Sequence, residues 1–240
     1  DRAEPVLQNV MVDALAPKQD LIAAGTFDGK VLVLERKETD RGEIWETAKS
    51  VRLPGPVRAL AWDGGVLVAG TQKGVFRFED LEKSDKPARV LDEKDLGALA
   101  ENYITALAFD RGKLLVGGLN TGLYRLDPDT RIIEPWAEDE PGISHISSLP
   151  GGDWAVGTTT GYLELDRAGK TVKRLTANQG LIHNNVTGTL FAGDALYLAT
   201  AAGLSRVKSG RVRSIYVFHG LINNHLYSLA TTGGEVWAGT

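Results

Sequence analysis

Histidine and asparagine side chains stand at matching points of several successive segments of this chain. When the segments are aligned on their apolar runs, His145, Asn185 and His225 occupy one position. Together with the adjoining positions they form a candidate ligand-binding set: Asn102, Tyr103, His145, His183, Asn184, Asn185, Asn223, Asn224 and His225. Amides, neutral imidazoles and a phenol donate and accept hydrogen bonds without carrying charge. Such a set suits a sugar or a peptide ligand.

The same residue types also have a simpler use. Asparagine and histidine often satisfy the backbone of turns or hold buried water, and loop polarity alone does not show binding. A metal site made by His145 and His225 is disfavoured because the two lie in segments that are not consecutive. We predict neither a metal nor a cofactor.

Motifs for catalysis are missing from the sequence. It contains no His-Glu-x-x-His, Gly-x-Ser-x-Gly or EF-hand loop. The segment Gly25-Thr26-Phe27-Asp28-Gly29-Lys30 is one residue too short for a phosphate loop and lacks the Ser or Thr after the lysine. Near the candidate set, Glu101 is the lone acidic residue. We therefore predict that the protein is not an enzyme.

A recurring small-residue signature indicates how these residues are positioned. Each copy has two apolar or small residues and then Gly-Thr or a close variant, and a second glycine follows a short turn in the copies before the last. The copies are anchored at residues 25, 70, 118, 157, 199 and 239, at intervals of 39 to 48 residues. Short strands repeated at this period predict a β-propeller, with one four-stranded antiparallel blade per repeat.

The predicted fold is all-β, a single propeller domain over residues 1–240 with about six blades. Their approximate ranges are 9–51, 52–92, 100–137, 143–177, 183–218 and an incomplete 223–240. In the fifth blade the predicted strands run over 186–191, 195–200, 203–208 and 211–218. In such a fold the connections from an outer strand to the next inner strand converge on one face. We expect the candidate set to lie in those connections, around the mouth of the central channel.

The sixth blade has sequence for two strands, Leu226–Ala230 and Glu235–Thr240. We expect that the natural chain continues to a full propeller of possibly seven blades, or that another chain supplies the missing strands. An open edge at Glu235–Thr240 would favour self-association. The first residue is Asp1 rather than Met, which a cleaved signal peptide or a shortened chain would equally explain.

The charge and composition of the sequence exclude some classes of partner. The formal net charge is -4, both signs are interspersed, and no basic block appears, so binding to nucleic acid is not expected. No apolar run approaches the roughly 18 residues of a membrane span, so this segment is not expected to insert into a membrane. The absence of cysteine suits an exported protein. We predict a periplasmic or extracellular location, with the cytoplasm as the alternative.

Two stretches resemble a known repeat family. Residues 180–206 and 220–240 both have a Gly-Leu-x-x-Asn lead-in before the inner strand, and Val236-Trp237-Ala238-Gly239-Thr240 has the Trp-x-Gly-Thr ending. They resemble two-component regulator propeller repeats. That resemblance implies a sensor region of a bacterial signalling protein, outside the cytoplasm and commonly seven-bladed. The WD40 and kelch repeats fit less well, because the single Trp-Asp pair ends an inner strand and the period is shorter than kelch requires.

These observations predict a non-catalytic binding or sensing module that recognises a small molecule, saccharide, peptide or protein on the channel-mouth face. One alternative is an interaction or self-assembly scaffold that uses the rim or the open blade edge. The other alternative is a propeller lyase or lactonase-type enzyme.

Overall fold

The structure is a computed structural model that describes residues 6–40, 42–79, 88–91, 103–137, 140 and 142–240. Within these ranges the chain forms 22 strands and two 3-10 turns, and none of the described segments is a helix long and apolar enough to cross a membrane. The strands form five four-stranded sheets and one two-stranded sheet, each in sequence order. The chain divides into two compact units, Asp1–Leu114 with Leu126–Ile132, and Leu115–Arg125 with Ile133–Thr240.

The first unit contains the first two blades. Their strands are β1 Val12–Lys18, β2 Leu21–Thr26, β3 Lys30–Thr39, β4 Gly42–Arg52, β5 Val57–Asp63, β6 Val66–Thr71, β7 Gly74–Phe78 and β8 Ala88–Leu91. Alternating apolar residues of the two sheets meet in one buried cluster, which includes Val31, Leu67 and Phe76. The indole of Trp62 joins the same two sheets by donating to the carbonyl of Ala16 at 2.9 Å.

The third sheet contains β9 Ile104–Asp110, β10 Lys113–Gly118, β11 Leu123–Leu126 and β12 Ile133–Ala137, and the boundary between the two units passes through it.

The second unit contains the remaining sheets. The fourth and fifth blades comprise β13 Ile143–Ser148, β14 Trp154–Thr158, β15 Gly161–Leu165, β16 Thr171–Leu175, β17 Val186–Ala192, β18 Ala195–Thr200, β19 Gly203–Lys208 and β20 Arg211–Ile215. The sixth sheet has β21 Ser228–Thr232 and β22 Glu235–Gly239. The 3-10 turns are Ala177–Gln179 and Val217–His219, each in the connection that leads to the next sheet.

The repeated Gly-Thr signature has two physical causes. A Cβ at Gly25, Gly70 or Gly157 would lie less than 3 Å from the first residue of the next inner strand, so a larger residue would push neighbouring sheets apart. The buried hydroxyl of the threonine closes the following turn. In blade five, Thr200 Oγ1 donates to the carbonyl of Gly203 at 2.7 Å and accepts the N–H of Ala202 at 3.2 Å. Thr71 and Thr158 make the corresponding bonds.

The predicted class, an all-β propeller of four-stranded antiparallel blades, is confirmed. The described residues form five complete blades, not six or seven, and a sixth sheet of two strands, where the sequence predicts an incomplete blade. The predicted outer strand 211–218 is also too long. It ends at Ile215, and Val217–His219 forms a 3-10 turn instead. The single domain over 1–240 and its blade boundaries stay predictions.

Candidate functional site

Two lead-in segments, residues 176–186 and 216–226, position most of the candidate residues. Each begins with an extended residue, makes a 3-10 turn and reverses at a glycine with φ near +100°, Gly180 or Gly220. That left-handed conformation carries little cost for glycine, which explains the Gly of the Gly-Leu-x-x-Asn motif. The two segments therefore present equivalent positions to the surface of the second unit. We call the six residues His183, Asn184, Asn185, Asn223, Asn224 and His225 the lead-in surface.

The motif asparagines tie each lead-in to its own turn. The side-chain carbonyl of Asn184 accepts the N–H of Ala177 at 2.7 Å, and that of Asn224 accepts the N–H of Val217 at 2.8 Å. These N–H groups open the 3-10 turns and have no partner inside them. The amide oxygens of Asn184 and Asn224 are thus engaged in holding the backbone.

The residues just before the asparagines make a second local bond. His183 Nδ1 accepts the N–H of Asn185 at 3.0 Å, and Asn223 Oδ1 accepts the N–H of His225 at 2.9 Å. His183 and Asn223 are exposed, while Asn185 is partly buried at the entrance of β17. The two lead-ins therefore have the same hydrogen-bond pattern in spite of different residue types.

An aromatic pair forms at the end of the second lead-in. The His225 ring stacks on the Tyr227 ring with centroids 4.5 Å apart and an interplanar angle of 22°. Tyr227 is 65% exposed. The exposed Tyr227 ring of this stack offers a face on which a sugar ring or a planar group can pack. Tyr227 was not among the predicted site residues, although its place two positions after His225 was a usable signal.

The sequence alignment predicted that His145 lies in a connection, but the structure places it in a strand. It lies in β13, opposite Gly157 of β14, after a register shift between Ile143 and His145. Its Nδ1 contacts the Thr189 hydroxyl at 2.9 Å and accepts the Thr189 N–H at 3.2 Å, which places the ring proton on Nε2. His145 therefore links the inner strands of blades four and five.

Two hydroxyl groups complete this link. Ser147 Oγ lies 2.7 Å from the buried Thr189 Oγ1, and Ser144 Oγ donates to the carbonyl of Val186. Burial between the strands lowers the pKa of His145 from 6.5 to about 4, because the charged imidazolium would lose its water. The neutral ring is held as a hydrogen-bond acceptor. Sequence reasoning missed Thr189 and Ser147, which carry no motif.

One further candidate residue, Tyr103, lies in the first unit. The Tyr103 ring is partly buried, and the guanidinium of Arg58 lies 5.3 Å from its centre. Asn102 lies outside the described residues. The structure thus brings together His183, Asn184 and Asn185 in one segment and Asn223, Asn224 and His225 in the next. Across the described ranges, no group of three His, Cys, Asp or Glu residues is arranged to hold a metal ion.

A family model for the WD40 domain of anaphase-promoting complex subunit 4 matches residues 14–111. This match covers the first two blades and part of the third. No curated protein sequence matches the chain.

Solved structures with similar folds include two from B. thetaiotaomicron, the extracellular domains of the hybrid two component systems BT4673 and BT3049. The BT4673 domain aligns with a TM-score of 0.75 and 19% identity over 95% of this chain and 31% of its own. The BT3049 domain aligns with a TM-score of 0.76 and 18% identity over 97% and 32%. The WD40 propeller domain of Doa1 aligns with a TM-score of 0.69 and 12% identity over 96% and 76%.

This chain spans about a third of the length of the two extracellular domains. At these identities the comparisons establish the fold. The five complete sheets, the repeated Gly-Thr turn and the similar structures lead to the same conclusion. The chain is a β-propeller, and its resemblance to the two-component regulator propellers is confirmed at the level of that fold.

Proposed function

We infer that this protein is a non-catalytic recognition module that binds its ligand on the lead-in surface. The observation that carries this inference is the pair of lead-ins in the second unit. Both are fixed by side-chain bonds to the backbone, and they present histidine and asparagine groups at equivalent places. A surface whose backbone is fixed before binding loses little conformational entropy when a ligand arrives.

The chemistry of the lead-in surface indicates the ligand class. Its six residues are amides and imidazoles, and the His225–Tyr227 stack adds an aromatic face. Amides pair with hydroxyl and peptide groups, while an aromatic face packs against the apolar side of a sugar ring. We propose that the ligand is an uncharged saccharide, a peptide, or a small polar molecule with the same kinds of hydrogen-bonding group.

A non-catalytic role agrees with the setting of His145. Its acceptor nitrogen is engaged by Thr189, and the groups bonded to it are hydroxyl and backbone N–H rather than a carboxylate. A general base needs a free acceptor within reach of a substrate proton. In this proposal, the low pKa of His145 keeps its ring neutral at the contact between blades four and five.

The similar extracellular domains support a location outside the cytoplasm, in the periplasm or at the cell surface. Their description as parts of two component systems supports a role in sensing.

Binding can be tested with a panel of neutral oligosaccharides and short uncharged peptides, by isothermal calorimetry on the full 240-residue chain. For a probe that binds, His225→Ala and Tyr227→Ala should each weaken binding by about tenfold, a loss of roughly 1.4 kcal/mol. Phe27→Ala, at an exposed aromatic residue of the first unit, is the matched control. Equal binding by all three variants, or no binding by any probe of the panel, would overturn the proposal.

A further inference from the structure

In four blades the inner strand contains one extra residue just after its first position. In blade two the register shift falls between Val57 and Ala59, and blades one, four and five have the corresponding shift. A bulge of this kind leaves the extra residue unpaired in the ladder and re-aims its side chain. We call these extra residues the bulge residues: Asp13, Arg58, Ser144 and Thr187.

In blades four and five the bulge residue contacts the start of the next sheet. Ser144 Oγ donates to the carbonyl of Val186, the first residue of β17. Thr187 Oγ1 donates to the carbonyl of Leu226, two residues before β21, at 2.6 Å. A hydroxyl has one proton to donate, so each of these side chains has its donor engaged in the contact between neighbouring sheets.

The bulge residue of blade two also contacts the start of the next inner strand, but through an aromatic ring. The guanidinium carbon of Arg58 lies 5.3 Å from the centre of the Tyr103 ring, and Tyr103 directly precedes β9. The face of an aromatic ring attracts a cation but accepts none of the five N–H donors of a guanidinium in an ordinary hydrogen bond. Tyr103 therefore positions the guanidinium and leaves its donors for another group.

Within the part of the chain that the structure describes, Arg58 has no acceptor for these donors. Its Nε is buried and makes no hydrogen bond. The hydrogen bonds and ion pairs among the described residues do not include its guanidinium. The connection before β5, residues 53–56, is Leu-Pro-Gly-Pro and has no polar side chain that could accept. Because a partly buried charge without a counter-ion is costly, this position favours an anion.

Two other arginines of the first unit have carboxylate partners. Arg52 Nη2 lies 3.3 Å from Oδ2 of Asp28, and Arg77 Nη1 lies 2.9 Å from Oδ1 of Asp129. The side chain of Arg52 is 65% exposed, so water solvates much of it, and it still has a carboxylate partner. Arg58 is partly buried and has none among the described residues. A ligand can supply the carboxylate that this guanidinium lacks.

We propose that Arg58, positioned by Tyr103, binds the carboxylate group of a ligand. The guanidinium donates two parallel hydrogen bonds to the two carboxylate oxygens, a geometry that suits this pair of groups. One cation balances one negative charge, which favours a carboxylate over a phosphate. An acidic sugar and a peptide with a free C-terminus both carry this group. The site lies in the first unit and the lead-in surface in the second, so each proposal can fail without the other.

Four probes separate the carboxylate from the molecule that carries it. Glucuronic acid and N-acetylated triglycine carry the group, and glucuronamide and the C-terminal amide of the peptide are their neutral counterparts. In an NMR titration of the full 240-residue chain at low salt, we expect at least one acid to bind and its amide to bind about tenfold more weakly. The acid that binds identifies the source of the carboxylate. Equal binding of acid and amide, no binding of either acid at millimolar concentration, or equal binding of inorganic phosphate would overturn the proposal.

Variants of Arg58 test its part in the site. Arg58→Gln should lower the affinity for the acid about tenfold, and Arg58→Lys, which keeps the charge but loses the paired donors, about fivefold. Arg52→Gln, at an arginine of the same unit that pairs with Asp28, is the matched control and should leave the affinity unchanged. Circular dichroism checks the fold, and Arg58→Lys carries the test if the glutamine variant unfolds. Wild-type affinity in the folded Arg58 variants would overturn the proposal.

Two further variants test the surroundings of Arg58. Tyr103→Leu should lower the affinity about threefold, and Tyr103→Phe, which restores the aromatic face, should recover it. Glu101 stands two residues before Tyr103 in the sequence, and Glu101→Gln should leave the affinity unchanged. Binding that appears only in Glu101→Gln would mean that the chain's own carboxylate occupies Arg58, and it would overturn the proposal.

Discussion

The contact between blades four and five differs from the contact between blade five and the sixth sheet, although the same inner-strand geometry makes both. Eight buried residues form the first: Ala155, Tyr162, Leu175, Leu181, Val186, Leu196, Leu198 and Val207. Three form the second: Ala199, Leu204 and Leu226. The first contact also has the His145–Thr189 link. The contact between two complete blades thus buries more apolar residues than the contact with the two-stranded sheet.

The two lead-ins sharpen this comparison because their local structures are the same. Gly180 and Gly220 have φ of 100° and 101°. Yet Leu181 is 4% exposed, whereas Leu221 is only partly buried. The turn is determined by nearby residues, while burial depends on the sheet that follows. Four predictions test this separation.

The largest effect is expected at the leucine of the first lead-in. Leu181→Ala removes a buried side chain from an eight-residue cluster and should lower the free energy of unfolding by about 3 kcal/mol. Leu221→Ala, at the equivalent position, should cost about 1 kcal/mol, because that side chain is only partly buried and packs against a smaller cluster. Urea unfolding followed by circular dichroism measures both. Equal losses would contradict the proposed difference between the two contacts.

A pH effect of slightly smaller size is expected from His145. Its folded pKa of about 4 lies below the ordinary 6.5, so below pH 6.5 the unfolded chain binds a proton that the folded chain does not. The stability that the neutral His145 adds to the folded chain is fully present above pH 6.5. It is lost as the pH falls to 4, which lowers the free energy of unfolding by about 3 kcal/mol at most.

Urea unfolding of the wild type at pH 7 and at pH 4.5 measures this loss. His145→Gln should reduce the dependence on pH in that window, whereas His183→Gln, at an exposed histidine of the lead-in surface, is the matched control. An unchanged pH dependence in the His145 variant would mean that another group causes the loss of stability between pH 7 and pH 4.5.

A moderate and equal effect is expected for the two motif asparagines. Asn184→Ala and Asn224→Ala each leave an N–H of a 3-10 turn without its acceptor, at a cost of about 1 kcal/mol. Thermal unfolding monitors the change, and the Asp variants, which keep an acceptor oxygen, should retain most of the stability. Unequal losses would mean that the turns, too, depend on the following sheet.

The smallest effect is expected at the exposed isoleucine. Ile222→Ser should change the free energy of unfolding by less than about 0.5 kcal/mol, because the side chain is 93% exposed. Ile182→Ser, at the partly buried equivalent, should cost about 1 kcal/mol. Differential scanning calorimetry of the two variants compares them directly. A large loss for Ile222→Ser would show that this side chain is covered in solution.

Much of the fold was predictable because its signals are local. Alternating apolar residues and Gly-Asp turns gave the strand pairs of blade five within a residue of the structure. The outer strand was extended to Phe218 because Tyr216, Val217 and Phe218 favour strands. The 3-10 turn forms there because Asn224, seven residues later, accepts the N–H of Val217. That bond joins residues whose approach a strand pattern does not reveal.

The candidate site was predictable in part for the same reason. The alignment correctly made the two lead-ins equivalent, and their paired hydrogen bonds agree with it. It misplaced His145, because β13 already begins at Ile143, so that His145 is equivalent to Gly188 of blade five and not to Asn185. In the strand, His145 lies against Thr189, 44 positions away. Whether the lead-in surface binds a ligand stays a prediction.

The sequence by itself determined the period, the turns and the propeller class, since each depends on residue types within a few positions of one another. The tertiary structure alone decided which polar groups form hydrogen bonds within the fold and which charged groups form ion pairs. A hydrogen bond between His145 and Thr189, or an ion pair between Arg77 and Asp129, requires side chains from different sheets to meet. Burial and charge pairing are properties of that packing, because they depend on what each neighbouring sheet contributes.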